Sequence, residues 1–413
     1  MRRSFALGIA SALAVVTVAA AGAQPLPTEL QREVKSGNLT PEEAQLLNGG
    51  SPPSTGQAQD SDILAEVRDC LSAKLTNPAA TTRAQLLEAS QQCAMAVVVL
   101  DSQGRRRPDA DARALALMRA TGVRLPRRET RGSATVVLKL ANPREKGAGV
   151  FVVPVTVGGK ARPFLLDTGA TNSIVAANLA RGLGLSGIDL PVGLLEQGVV
   201  GSQCRGSGLK ISLLRLPPLA VAGAHGQNLL GLALPAERIP GGGAGVLGLD
   251  FLSGYDLTID PTVPRLVLAA PTPSAGSIAL TSASGILATQ VQVNGRGPFT
   301  FGLDTGADLI VVSARLARTL GLKPVSARKE PVQGFCGLEA VQRVRLGEVR
   351  LGSQPVKNLD GVILTSPLLD RLGIDGLVGQ NYLNRFRQHW RFEEPNELGL
   401  IPGGSLELQP IGK

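Results

Sequence analysis

The chain has 413 residues and a formal net charge of +9, with 43% hydrophobic but only 3% aromatic residues. Its length predicts about two or three domains, and its 50 Gly and 28 Pro favour short strands and turns over long helices. The arginine-rich runs contain no interleaved aromatic residues, which favours solvated linkers over a nucleic-acid surface. The two histidines, His225 and His389, lie outside any zinc-hydrolase spacing, so the sequence predicts no metal site.

Residues 1–23 are typical of an export signal peptide. Arg2 and Arg3 precede an apolar run, and the letters AGA at 21–23 form a small-residue cleavage motif. The run is short for a bilayer span, so an uncleaved anchor is the weaker alternative and no stable membrane span is predicted. We therefore expect an exported protein, periplasmic or secreted, in a compartment that permits disulfide bonds.

The next part of the chain divides into a flexible segment, residues 24–60, and a helical region, residues 61–131. Within the flexible segment, a capping box at Thr40 and Glu43 predicts one short helix. The helical region has the periodicity of three helices, with the second and third over 82–100 and 110–121. One face of the first helix is apolar and consists of Ile63, Leu64, Val67, Leu71 and Leu75.

Two of the four cysteines lie in the helical region. Cys70 and Cys93 are on consecutive predicted helices that are joined by a turn near Asn77-Pro78. In an exported protein this arrangement predicts a disulfide bond across the helical hairpin.

The sequence downstream of residue 131 is β-rich and contains one unit twice. FLLDTGATNSIV at 164–175 corresponds to FGLDTGADLIVV at 301–312, and GVLGLDFL at 245–252 corresponds to GLVGQNYL at 376–383. Strand, acid turn, short helix, variable hairpin and apolar-apolar-Gly element recur in the same order. The sequence therefore predicts a duplicated domain, with lobe 1 at 132–272 and lobe 2 at 273–413.

Each copy carries an acid at the end of an apolar strand, where a carboxylate is costly unless it is paired or hydrogen-bonded. If symmetry brings Asp167 and Asp304 together, they cannot both ionise, and one proton is shared. Such a pair is suited to activating a water against a peptide carbonyl. The residues expected to support the two turns, by backbone N–H groups or by hydroxyls that reach the partner turn, are Thr168, Gly169, Thr305 and Gly306.

These motifs resemble the aspartic peptidase superfamily, and they resemble its retroviral-type members most. In that family each lobe contributes a hydrophobic-Asp-Thr-Gly turn and a later apolar-apolar-Gly element, here VLG at 246–248 and LVG at 377–379. The Ala after each turn and Asp308 are retroviral features, whereas two copies in one chain indicate a fused pseudo-dimer. The resemblance spans about 140 to 405. It implies an all-β fold of two tandem retropepsin- or pepsin-like β-barrel lobes related by pseudo-two-fold symmetry, preceded by a small helical region.

The resemblance further implies an aspartic endopeptidase with a peptide or protein substrate and no cofactor. Asp167 and Asp304 would be catalytic, and Ala170, Ala307 and Asp308 would border the substrate backbone. Since Ala170 and Ala307 offer no hydroxyl that would lower the pKa of the acid pair, we expect a weakly acidic optimum. The alternative is a catalytically silent module of the same fold that binds peptides or acts in assembly. Both lobes lie in one chain, which is compatible with a monomer.

Two features keep alternatives open. The helical region is either an inhibitory pro-segment, with RLPRRETR at 124–131 as its processing site, or a partner-binding domain. Because the duplicated part is self-contained, we expect a chain that starts near Ser133 to fold.

Cys204 and Cys336 lie in the hairpins where the family carries its flaps, and they form either a disulfide bond or two unlinked thiols.

Overall fold

A computed structural model gives the structure of the protein and describes residues 58–75, 81–102, 107–122, 124–142, 149–190, 209–273, 276–283, 285–334, 337–366 and 368–411. These residues fall into two compact units, one ending at Leu125 and the other beginning at Pro126. No helix in the described part of the chain is both long enough and apolar enough to cross a membrane. Several predictions concern residues outside these ranges: the export signal, the short helix at Thr40, and the pairing of Cys204 and Cys336.

The first unit is helical, and its described helices are α1 (Ala58–Lys74), α2 (Arg83–Ala94) and α3 (Ala110–Ala120), with a π-helical turn, Met95–Val99, after α2. Thr82 begins α2 with a capping box that includes Gln85. On α1, Ile63, Val67 and Leu71 are buried, as the apolar periodicity predicts.

A disulfide bond joins the first two helices of this unit. Cys70 on α1 and Cys93 on α2 are bonded, with their Cα atoms 5.6 Å apart, so the predicted pairing is confirmed. Arg113 on α3 donates to the carbonyl of Val97 at 2.8 Å and forms an ion pair with Glu66 on α1. The described helices are thus tied to one another covalently and by polar contacts.

The second unit is mostly strands. Its strands are β1 (Glu129–Arg131), β2 (Ala134–Val137), β3 (Lys139–Leu140), β4 (Phe151–Val157), β5 (Lys160–Leu166), β6 (Ile174–Ala176), β7 (Gly187–Asp189), β8 (Ser212–Arg215), β9 (Leu219–Val221), β10 (Ala224–Gln227), β11 (Leu230–Leu234), β12 (Gly245–Leu247), β13 (Asp256–Asp260), β14 (Arg265–Ala269), β15 (Ile278–Ala283), β16 (Ile286–Val293), β17 (Arg296–Leu303), β18 (Ile310–Ser313), β19 (Glu330–Gly334), β20 (Gly337–Leu351), β21 (Gln354–Leu364), β22 (Gly376–Val378), β23 (Phe386–Phe392) and β24 (Gly403–Pro410). Its short α-helices are α4 (Ala177–Gly182), α5 (Leu249–Leu252), α6 (Ala314–Leu320), α7 (Leu368–Arg371) and α8 (Gln380–Leu383), and two 3₁₀ turns cover Ala236–Arg238 and Pro240–Gly242.

The two lobes repeat the same strand arrangement. In lobe 1, β12 lies between β5, to which it is parallel, and β6, to which it is antiparallel, and β11 continues parallel to β6. In lobe 2, β22 lies in the same way between β17 and β18, and β21 continues parallel to β18. The predicted fold, two tandem all-β lobes after a small helical region, is confirmed.

The lobes also share a sheet. Among the described residues, one sheet has 11 strands and the other has 13, and the larger one joins β2, β13 and β14 of lobe 1 to the strands of lobe 2. The junction is an antiparallel pairing of β13 with β23, with Leu257 opposite Trp390. Both side chains are completely buried in the apolar cluster that continues through both lobes. The sequence boundary between 272 and 273 is therefore not a break in the hydrogen-bonded structure.

Residues 126–131 belong to the β-rich unit, although the sequence assigned them to the helical region. Glu129–Arg131 forms β1, which pairs antiparallel with β10. The hydroxyl of Tyr255 lies 3.0 Å from the carbonyl oxygen of Arg131 and 2.7 Å from that of His225, so it holds both strands. The unit boundary consequently falls between 125 and 126 rather than between 131 and 132.

Arg128 extends this attachment to α5. Its guanidinium donates to the carbonyl oxygens of Leu249 and Asp250, each at 3.2 Å, and to the hydroxyl of Ser253. The carbonyl of Leu249 also accepts from the N–H of Ser253 at 3.0 Å, so Arg128 adds further donors to the end of this one-turn helix. A chain that starts at Ser133 would lack both β1 and Arg128.

Candidate active site

The two duplicated acids occupy equivalent positions at the ends of buried strands. Asp167 follows β5, and its backbone N–H donates to the carbonyl of Leu247 in β12 at 3.1 Å. Asp304 follows β17, and its N–H donates to the carbonyl of Val378 in β22 at 3.0 Å. The apolar-apolar-Gly elements that contain β12 and β22 thus fix the backbone at both acids.

Backbone N–H groups of the following residues surround each carboxylate. Oδ1 of Asp167 accepts from the N–H of Gly169 at 2.8 Å and from that of Ala170 at 3.1 Å. Oδ1 of Asp304 accepts from the N–H of Gly306 at 2.8 Å. Such donors favour an ionised carboxylate.

Each turn glycine packs against the carboxyl group of the opposite lobe. A Cβ atom on Gly169 would lie 2.6 Å from Cγ of Asp304, and a Cβ atom on Gly306 would lie 2.5 Å from Cγ of Asp167. Real Cβ atoms do not approach other atoms so closely, so only glycine leaves room for the opposite acid. The structure therefore brings Asp167 and Asp304 together as the sequence predicts.

The two carboxyl groups are electrostatically coupled. They are only 5% and 7% exposed, for Asp167 and Asp304 respectively, and each packs on the turn glycine of the opposite lobe. Burial, followed by the neighbouring charge of Asp167, raises the pKa of Asp304 well above its ordinary value. Two buried carboxyl groups this close together cannot both be ionised, so the pair shares one proton.

The two threonines connect the lobes by reciprocal hydrogen bonds. The N–H of Thr168 donates to Oγ1 of Thr305 at 2.9 Å, and the N–H of Thr305 donates to Oγ1 of Thr168 at 3.2 Å. Each hydroxyl in turn donates to a carbonyl of the opposite lobe, that of Leu303 at 3.2 Å and that of Leu166 at 3.0 Å. Both threonines are fully buried. This network holds the two carboxyl groups at a fixed separation.

The two alanines that were predicted to border the substrate have different environments. Ala170 is buried, and its carbonyl accepts from the N–H of Leu249 at 2.7 Å. Ala307 is half-buried, and its carbonyl accepts from the N–H of Gln380 at 2.8 Å. Only the second alanine leaves surface for a ligand.

The next position differs between the lobes, as the sequence suggests. Asp308 is exposed, and its carboxylate accepts from the N–H of Val150 in lobe 1 at 3.2 Å. Its counterpart Thr171 is buried and donates its hydroxyl to the carbonyl of Gly285 in lobe 2 at 3.0 Å. Each of the two residues therefore contacts the opposite lobe, but only Asp308 presents a charged group at the surface.

A polar network behind the turn of lobe 1 was not predicted as part of the site. The N–H and hydroxyl of Ser173 both donate to Oδ1 of Asp250, at 2.8 and 2.7 Å, and the N–H of Gly248 donates to the serine oxygen at 3.1 Å. Burial raises the pKa of Asp250 to about 6. The network ties the Gly element to the chain just after the acid turn.

Lobe 2 makes the corresponding connection with neutral residues. Oδ1 of Asn381 accepts from the N–H of Ile310 at 3.1 Å, and its Nδ2 donates to the carbonyl of Asp360 at 2.6 Å. Gln380 donates from Nε2 to the carbonyl of Thr305 at 3.1 Å. The signal in the sequence is the aligned pair GLD and GQN after the two Gly elements, which places polar residues in otherwise apolar segments.

Comparisons with protein-family models match one model to each lobe. Residues 153–251 match the family described as "Aspartyl protease", and residues 289–385 match the family described as "gag-polyprotein putative aspartyl protease". Each match contains one Asp-Thr-Gly turn together with its Gly element. The chain carries two aspartyl protease domains in tandem. Its general class is accordingly that of the aspartic proteases.

The other comparisons add little to this result. A solved structure of a retropepsin-like aspartic protease from Rickettsia conorii is 21% identical, with 32% of this chain and 90% of that chain covered, at a TM-score of 0.22. No curated protein matches the chain.

Proposed function

We propose that the protein is an exported aspartic endopeptidase that hydrolyses peptide bonds with Asp167 and Asp304. The observation that carries this proposal is the mutual packing of each turn glycine on the opposite carboxyl group, which brings the two acids together. Two acids that are held together and differ in protonation are what acid-base hydrolysis of an amide requires.

In the proposed reaction, Asp167 accepts a proton from a water molecule as the water oxygen bonds to the carbonyl carbon. Asp304 donates its proton to the carbonyl oxygen, which gives a neutral tetrahedral intermediate. In the second step the proton on Asp167 moves to the leaving nitrogen, the C–N bond breaks, and Asp304 recovers a proton from the collapsing hydroxyl group. The pair therefore returns to its starting state.

The substrate is a peptide in extended conformation between the two lobes. Such a peptide can form backbone hydrogen bonds as an added strand does. Ala307 is half-buried and Asp308 is exposed at the exit of the lobe 2 turn, which supports a role in bordering the substrate backbone. The export part of the proposal rests on residues 1–23 and on the disulfide bond between Cys70 and Cys93. Fractionation of cells that produce the full chain would test it.

The hydrolytic activity is tested with a library of peptides blocked at both ends, so that only internal cleavage is observed. We expect wild-type protein to cleave, and Asp167→Asn and Asp304→Asn each to lose activity by about 10³-fold or more. Matched controls are Asp189→Asn in lobe 1 and Asp370→Asn in lobe 2, because both acids are exposed and outside the site. A wild-type protein that retains blocked peptides without cleaving them would instead be a silent binding module.

A further inference from the structure

The first residue after the Gly element differs in polarity between the lobes. Leu249 in lobe 1 and Gln380 in lobe 2 occupy equivalent positions. The N–H of each donates to the carbonyl of the alanine after the acid turn, Ala170 at 2.7 Å and Ala307 at 2.8 Å. Both side chains are buried, but the leucine packs in the apolar cluster whereas the glutamine carries an amide. Lobe 2 therefore has a buried polar group where lobe 1 has an apolar one.

The side chain of Gln380 makes one hydrogen bond in the described part of the chain. Its Nε2 donates to the carbonyl oxygen of Thr305 at 3.1 Å, whereas Oε1 is buried without a partner among the described residues. The reverse orientation of the amide would direct its oxygen at another oxygen, so Nε2 faces the carbonyl. Burial of an amide is costly unless a hydrogen bond compensates for it. The bond to Thr305 is thus the contact that distinguishes glutamine from leucine at this position.

This bond acts on the peptide group that faces the acid of lobe 2. The carbonyl of Thr305 and the N–H of Gly306 belong to the same peptide group, and that N–H donates to Oδ1 of Asp304 at 2.8 Å. Hydrogen bonds in a chain polarise one another, so a donor on the carbonyl strengthens the donation from the N–H. The two hydrogen bonds therefore form one chain that runs from the amide of Gln380 to the carboxyl group of Asp304.

The acid of lobe 1 has a second backbone donor instead. The N–H groups of Gly169 and Ala170 both donate to Oδ1 of Asp167, at 2.8 and 3.1 Å. Among the described residues a single backbone N–H donates to the carboxyl group of Asp304, and the N–H of Ala307 donates to its main-chain carbonyl at 3.3 Å. The glutamine amide of lobe 2 thus compensates for a donor that only lobe 1 has.

We propose that Gln380 is a positioning residue for hydrolysis, which acts on Asp304 through the peptide group between Thr305 and Gly306. The inference rests on the proposed function, in which Asp304 gives its proton to the substrate carbonyl oxygen and becomes ionised. A stronger N–H donor stabilises this ionised form more than the protonated form. The effect of Gln380 therefore grows as the intermediate forms, so its loss lowers kcat and leaves KM unchanged.

The hydrogen-bond chain is tested by the NMR signal of the Gly306 amide, which does not depend on cleavage. Threonine labelled with ¹³C at the carbonyl carbon and glycine labelled with ¹⁵N select the Thr-Gly peptide groups, of which the full chain has four. Thr305→Ser and Thr168→Ser each keep the hydroxyl group but remove one labelled carbonyl. These two variants therefore identify the signals of Gly306 and Gly169.

Gln380→Leu gives lobe 2 the side chain of lobe 1. We expect it to move the Gly306 amide proton upfield by more than its linewidth and to leave the Gly169 signal in place. In a chain that cleaves peptides, kcat should fall about threefold, since only the polarisation of one bond is lost. Gln380→Met removes the same donor with less change of shape and should give the same results. The matched control is Gln388→Leu, because Gln388 is also completely buried but bonds to Trp390, and it should move neither signal.

Two results would overturn the proposal. One is a Gly306 signal that neither variant of Gln380 moves, or that the Gln388 control moves equally far. The other is an unchanged kcat in a chain that does cleave peptides. A wild-type chain without cleavage rejects the endopeptidase, and a shifted Gly306 signal then supports the hydrogen-bond chain independently of the reaction.

Discussion

Lobe 1 and lobe 2 hold the same Asp-Thr-Gly turn but support it with different side chains. Where the two turns meet, the contacts are reciprocal: Thr168 and Thr305 exchange hydrogen bonds, and Gly169 and Gly306 each pack on the opposite acid. A contact made between two copies of one motif depends on both copies at once. A change in one copy alone would break it, which explains why this part is the same in both lobes.

Away from that contact the lobes differ. Behind the turn, lobe 1 uses the ionisable Asp250 and lobe 2 uses the neutral Asn381. At the turn's exit, lobe 1 has the buried Thr171 and lobe 2 has the exposed Asp308. Each of these residues contacts different neighbours from those of its counterpart in the other lobe. A substitution in one lobe therefore does not require a matching substitution in the other. The comparison indicates a symmetric catalytic pair within asymmetric surroundings.

The largest effect is expected from the turn glycines, which test the symmetric part. In Gly169→Ala the new methyl group would lie 2.6 Å from Asp304, and in Gly306→Ala it would lie 2.5 Å from Asp167. Either change forces the carboxyl groups apart, so we expect peptide cleavage to fall by about 10³-fold, as for the loss of an acid-base group. Gly182→Ala, where a methyl group meets nothing within 4 Å, is the control. A large loss of cleavage from only one of the two turn variants would contradict the symmetric role of the two glycines.

The threonines should show the next largest effect, on stability. Thr168→Val and Thr305→Val each preserve shape but remove one hydroxyl, which leaves a buried N–H and a buried carbonyl of the opposite lobe without partners. We expect each to lower the free energy of unfolding by about 3–4 kcal/mol, measured by denaturant titration. The double variant should lose less than the sum, because the two residues share bonds. Strict additivity would contradict a shared network.

The sequence predicted the symmetric part of the site because duplication is itself a local signal. An acid followed by Thr and Gly, twice in apolar strands, identified Asp167 and Asp304, and side-chain type alone suggested the hydroxyl bonds between the turns. The pairing of Leu257 with Trp390 could not be predicted, since nothing local specifies a partner 133 positions away.

Arg128 was misjudged for a physical reason. It lies in a run of arginines, and such a run has no periodicity that would separate a bound side chain from solvated ones. The difference in charge between Asp250 and Asn381 gains meaning only in the structure, where Ser173 donates to the acid.

The asymmetric part can be tested through pH. Because burial raises the pKa of Asp250 to about 6 from an ordinary value of 3.8, the folded protein binds a proton between these values that the unfolded chain does not. The free energy of unfolding therefore falls as pH rises through this window. Asp250→Asn removes this contribution, so its stability relative to wild type should rise by up to about 3 kcal/mol between pH 4 and pH 7.

The reciprocal variant sharpens this test. In Asn381→Asp a carboxylate oxygen replaces Nδ2, which donates to the carbonyl of Asp360, and should repel that carbonyl when ionised. Its stability relative to wild type should fall as pH rises over the same window. Denaturant titrations at pH 4, 5, 6 and 7 measure both variants. Parallel pH curves for wild type and Asp250→Asn would show that Asp250 does not titrate in this range.

The smallest effect is expected from Arg128. In lobe 1 this side chain holds α5 in addition to the contacts made by Asp250. Arg128→Ala removes the donors to the carbonyls of Leu249, Asp250 and Ser253 at the end of α5. We expect a loss of about 2 kcal/mol in the free energy of unfolding of a chain that starts at Pro126. Arg127→Ala is the matched control, because Arg127 is the neighbouring arginine and is exposed.

Deleting the segment should cost more than the single change, since β1 is lost along with Arg128. A chain that starts at Ser133 should thus unfold at lower denaturant than the Pro126 chain with Arg128→Ala. Equal stability of the Pro126 and Ser133 chains would show that residues 126–131 do not stabilise the lobes. The segment would then be a linker, as the sequence predicted. A lower stability of the Ser133 chain would also restrict where the protein can be processed. Proteolytic processing that leaves the β-rich unit intact would have to cut before Arg128. A cut after Arg128 removes the donors that hold α5 behind the lobe 1 turn.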